Sequence, residues 1–144
     1  MPTESVIQNI RQTRETLAVE RTRLMIAANE SRQTLYAAKA ERDKKQLFLD
    51  GLVQRRKVIE KEREEMIQYC QQPDSPEALR TRSIEEMTAR LEALAGEIEV
   101  AHQKLDKAEW RFDDSNSKFE SLEEKFETTD RQLKELDVHL AALN

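Results

Sequence analysis

Apolar residues recur at alternating steps of three and four through most of the chain, the spacing that lines one stripe of a helix. The repeat is cleanest in the second half. Its a positions read Ile84, Leu91, Ile98, Leu105, Phe112, Phe119, Phe126, Leu133 and Leu140. Its d positions read Met87, Leu94, Ala101, Ala108, Ser115, Leu122, Thr129, Leu136 and Leu143. A heptad held this long predicts a coiled-coil helix. The first half carries the same frame with a mixed seam. Its d positions are Ile10, Leu17, Leu24, Ser31, Ala38, Lys45, Leu52, Ile59 and Met66, and its a row contains Arg14, Arg21, Arg42, Arg56 and Arg63 among Ile7, Ala28, Leu35, Leu49 and Cys70.

One break divides the pattern, at Gln71-Gln72-Pro73-Asp74-Ser75-Pro76-Glu77. Pro73 removes an amide donor and pushes Gln72 out of helical geometry. Asp74 or Ser75 is placed to cap a following helix, with Pro76 in its first turn. The prediction is one all-α domain over 1–144, with arm 1 at about 3–71, a turn at about 72–75 and arm 2 at about 76–143.

Two long helices can pair within a chain or between chains. A parallel homodimer would stack the arginines of the first arm against their own copies, a costly arrangement even with the stems snorkelling outward. An antiparallel hairpin avoids this. In the best register small residues face large ones: Ser31 with Phe119, Ala38 with Phe112, Leu35 with Ser115 and Leu49 with Ala101. Arg21 then faces Thr129, and Arg42 faces Ala108. Flanking pairs are attractive, including Arg55 with Glu97, Glu62 with Arg90 and Arg11 with Asp137. Such pairs select register more than they stabilise. The expected architecture is therefore an antiparallel coiled-coil hairpin; the alternative is an extended or swapped coiled-coil homodimer.

Charge supports the hairpin. Residues 1–72 carry 14 Lys/Arg against 11 Asp/Glu, and residues 73–144 carry 10 against 18. A basic arm and an acidic arm attract one another. Composition otherwise excludes more than it assigns. Charged residues make up 37% of the chain, which has only two glycines and three prolines, a profile of long helices and not of a thick globular core. The single cysteine, Cys70, cannot form an internal disulfide, and a small residue in the last core layer is its simplest role. With no apolar run of membrane-spanning length and no leader-like start in MPTESVIQNIRQ, a cytoplasmic location is expected.

No catalytic constellation is visible. His102 and His139 lie far apart, and neither a phosphate-binding glycine loop nor a zinc spacing is present. No enzyme activity, small-molecule substrate, cofactor or metal is expected. Basic residues interleaved with acids argue against nucleic-acid binding. The basic stretch at 39–45 is too short for a membrane-binding face.

What remains is the outer surface. Trp110 falls at f, farthest from the seam, where indole is costly to leave in water and is a favoured interface anchor. Val19, Ile26 and Leu47 also fall at f, and Phe48 at g. A two-stranded rod has no internal use for these residues. Val19, Ile26 and Leu47 continue one line along the outer face of the first arm, a candidate contact stripe for a protein partner or for self-association, with Trp110 and Phe48 as further candidate contacts. Gly51 and Gly96 lie at mirrored places in the arms; two tolerated small outward residues are the simpler reading, and a shared flexible point or close-approach site on the rod is the sharper one.

The segments LDKAEWRF (105–112) and KFESLEEKF (118–126) resemble rod segments of tropomyosin and related cytoskeletal coiled coils. The two-armed design resembles in shape the helical-hairpin stalk proteins of bacterial type III export ATPases. The first resemblance implies a structural or adaptor coiled coil that scaffolds or spaces partners. The second implies a stalk or escort acting on an ATPase ring or export cargo.

Overall fold

The computed structural model describes residues 3–71 and 77–143, with side chains in the second helix from Thr81 onward. The sequence elements proposed around Pro73 to Pro76 lie outside these residues. The described chain is two helices, α1 (Glu4–Cys70) and α2 (Glu77–Leu143), packed on each other as an all-α helical hairpin.

Local sequence explains why each helix runs unbroken. The described part of α1 and α2 has no proline, and its two glycines keep helical backbone with no positive φ. Thr3 caps α1: its Oγ1 accepts from the Val6 N–H at 3.3 Å, and its carbonyl accepts from the Val6 and Ile7 N–H groups. Glu4 adds negative charge in the first turn, where the helix dipole favours it. Threonines inside the helices, which compete with backbone bonding elsewhere, donate to the carbonyl four residues back, as Thr16 does to Gln12 and Thr128 to Glu124. At the other end the Gln71 N–H donates to the Gln68 carbonyl, a tighter turn that ends α1.

Packing divides the hairpin into two compact units. The first takes α1 up to Lys39 together with α2 from Arg111; the second runs from Ala40 to Trp110. In the first unit the buried side chains are Leu24, Ala28, Leu35, Thr129 and Leu133. In the second, Leu49, Leu52, Leu94, Ile98, Ala101 and Leu105 form one cluster, with Val53 and Ile59 packed against it. Among the described residues, every buried one in both units sits at a heptad a or d position. Among the described residues no seam position is fully exposed, the arginine row included. That is the footprint of a narrow two-stranded seam, in which only the a and d side chains lose their water.

The arginine row shows how cations are tolerated there. In the first unit Arg21 does not end on Thr129; its guanidinium donates to Asp130 at 3.0 Å, one residue on, at e′. Arg14 reaches Asp137 in the same way. In the second unit Arg63 donates to the Thr88 hydroxyl at 3.0 Å, and that hydroxyl donates to the Ile84 carbonyl. In each case the stem lies over the seam and the head stops at the neighbouring e′ position, keeping its water. Asp137 therefore pairs with Arg14 and not with the expected Arg11, because the a-row side chain starts closer to it.

Candidate interaction surfaces

The heptad frame gives each unit two flanks and two outer faces. One flank carries the e and e′ rows beside the a residues. The other carries the g and g′ rows beside the d residues.

In the first unit the e flank is internally paired. Arg14 with Asp137 and Arg21 with Asp130 recur one heptad apart. Next along, the a position is Ala28, which cannot reach, and Arg32 takes over from e: it lies 3.9 Å from Glu123 and stacks over the Phe119 ring at 5.4 Å. A guanidinium above an aromatic face is held by the ring quadrupole, and it shields a phenylalanine too large for the seam to bury fully. Lys134, then Arg21, holds the Asp130 carboxyl below the usual carboxylate range. Asp137 raises the Arg14 guanidinium further above its ordinary value, through their hydrogen bond first.

In the second unit the g flank is the opposite case. Phe48 is 62% exposed and, with Leu52, Gly96, Val100 and Ala101, lines an open groove across the seam. Arg55, Glu97 and Lys104 border it. Arg55 and Glu97, and likewise Glu62 and Arg90, are of opposite sign in the g and g′ rows, yet none of these four, nor Lys104, makes an ion pair among the described residues. Val100 and Gly96 were not apparent as partners of Phe48, since only the pairing of the arms brings them to one groove. The available signal was Val100 at c, an apolar residue outside the seam.

The outer faces hold the remaining candidates. Val19 is 72% exposed and shares a shallow surface with Ala18, Thr22, Arg23 and Ile26, all in the first unit. Leu47, 73% exposed, and Trp110, 68% exposed, belong to the second. The f rows of two antiparallel helices point away from each other, so Leu47 and Trp110 face opposite sides of their unit. Along α1 the f row between Ile26 and Leu47 carries Gln33 and Ala40. Val138, equally exposed at f on α2, is an outer apolar residue that the contact stripe did not include.

Gly51 and Gly96 do not mark a close approach within the chain. A Cβ built on either meets nothing within 4 Å. Cys70 is half-buried at the end of α1 and is engaged in an interaction there.

Among the described residues no group of His, Cys, Asp or Glu could hold a metal ion, and no helix is long and apolar enough to cross a membrane. No protein-family model matches the chain, and no curated protein or solved structure matches it. The class defined by fold and surface is that of a two-helix coiled-coil hairpin with exposed apolar residues outside its seam.

Proposed function

We propose that the chain is a non-enzymatic structural or adaptor coiled coil that scaffolds or spaces protein partners through its outer helical faces. One observation carries this reading. The seam is complete without Val19, Ile26, Leu47, Phe48 and Trp110, and all five remain exposed. Trp and other large apolar groups left outside a finished core are favoured anchors of protein contacts. Helices present such anchors as ridges that a partner helix can straddle. A seam two helices wide has no interior in which to desolvate a small substrate, so the reading includes no catalytic step or cofactor. A cytoplasmic setting belongs to the same proposal.

The test is a variant combining Trp110→Ala with Leu47→Ser, compared with the parent in its native extract. Both side chains are exposed, so helical circular dichroism should be unchanged. The parent should migrate in assemblies that the variant no longer joins. If parent and variant migrate alike and no partner is lost, the reading is wrong. Trp110 is the only tryptophan, so loss of its quenching by acrylamide on assembly reports directly whether that face is covered.

A further inference from the structure

We propose that the g flank of the second unit is a homodimer interface, on which a second copy of this chain packs face to face to form a four-helix bundle. The proposal rests on the reading of the chain as a protein-binding coiled coil and names one partner and one face.

Three observations meet at this flank. The first is exposed apolar surface in a groove and not on a ridge: Phe48 and Val100 stand out on either side of the Leu52 and Ala101 floor. The second is Gly96 in the groove wall. Glycine in a helix interior costs about 1 kcal/mol against alanine. Here no internal contact or backbone conformation requires it, since an added Cβ would meet open space and φ is not positive. In the groove the missing side chain leaves room for an approaching helix.

The third observation selects the occupant. Along α1 the g row reads Phe48, Arg55, Glu62; along α2 the g′ row reads Lys104, Glu97, Arg90 at the same levels. At two successive levels the signs are opposite across the seam, and these charges are unpaired among the described residues. Rotate a second copy by half a turn about an axis parallel to the helices. Its α2 then lies over α1 of the first, and its α1 over α2. Arg55 of each copy meets Glu97 of the other, and Glu62 meets Arg90. Each Phe48 comes to rest beside Lys104 of the other copy, whose methylene stem can cover the ring. All neighbouring helices are antiparallel, as in an up-and-down bundle, and the contact is isologous, so the assembly closes at two. An uncharged or uniformly charged ligand would not use this alternation, whereas a second copy satisfies all of it.

The experiment is sedimentation equilibrium on the full chain as a function of concentration. The parent should show a concentration-dependent dimer. Phe48→Ser should weaken dimerisation at least about tenfold, with monomer helicity retained because the side chain is already exposed. Arg55→Glu alone, and Glu97→Arg alone, should each weaken it by about tenfold, since each places like charges opposite one another at two symmetric points. Mixing these two variants should restore association as a heterodimer, because each then meets its complement. That rescue is specific to α1 lying over α2 of the other copy. A parent that is monomeric at every concentration overturns the proposal, as does a dimer indifferent to Phe48→Ser or a mixture that fails to associate. None of these results affects the scaffold reading, which stands or falls with the Trp110 and Leu47 variant.

Discussion

Replacing Gly51 and Gly96 by alanine should stabilise the isolated chain. Both residues lie in helix interiors with ordinary helical backbone. Alanine restricts the unfolded chain more than glycine does and so loses less entropy on folding, worth about 0.5–1 kcal/mol per site. The opposing term would be steric, and it is absent: a Cβ at either position has nothing within 4 Å. The two sites share no partner, so their effects should add to about 1–2 kcal/mol. For a chain of this size, that corresponds to a rise in Tm on the order of 3–8 °C. The assay is thermal and urea unfolding followed by circular dichroism, at a concentration where the chain is monomeric. Equal or lower stability in the double variant would refute the reasoning, because it would require a contact or a strained backbone at these glycines. At high concentration Gly96→Ala should behave differently from Gly51→Ala, since only the first narrows the Phe48 groove.

Other substitutions test the seam and its charges. Leu24→Ala removes one of the most deeply buried side chains and should cost about 2–4 kcal/mol in urea unfolding, while Leu47→Ala on the outer face should leave stability unchanged within about 0.5 kcal/mol. Arg56→Leu should raise Tm, and Arg21→Leu should raise it less or lower it. Arg56 pairs only with Glu60 of its own helix among the described residues, whereas Arg21 reaches across to Asp130. Asp130 has a folded pKa lowered chiefly by its bond to Lys134 and also by Arg21. Its contribution is therefore full above the unfolded carboxylate range, near pH ~4, and is lost as pH falls through the lower folded value. Asp130→Asn should flatten the acid side of a Tm-against-pH curve; an unchanged curve would remove Asp130 from the account. Thr3→Ala should cost about 1 kcal/mol or less, seen as greater fraying of the first turn of α1 by hydrogen exchange.

The two helices and their seam were legible in the amino-acid pattern, because burial in a two-stranded coil depends on little besides heptad position. Leu24, Leu49, Ile98, Ala101 and Leu133 are buried at the places the repeat assigns them. The arginine row pointed to pairing with the acidic arm, and the two helices of the chain do pack on each other as a hairpin. Heptad letters alone could not say where each guanidinium ends. That is decided in three dimensions by the reach of a long side chain, which carries Arg14 and Arg21 past their layer partners to Asp137 and Asp130.

The surface was legible only one residue at a time. Pattern identified Val19, Ile26, Leu47, Phe48 and Trp110 as apolar residues with no place in the seam, and each is exposed. Whether they act together depends on which helix faces which. The hairpin sends Leu47 and Trp110 to opposite sides, while it joins Phe48 to Gly96 and Val100 from the other arm. A repeat of 3.5 residues determines what a helix hides, since hiding requires one stripe along one helix. What a hairpin presents requires two helices in one register, so only the tertiary structure decided it.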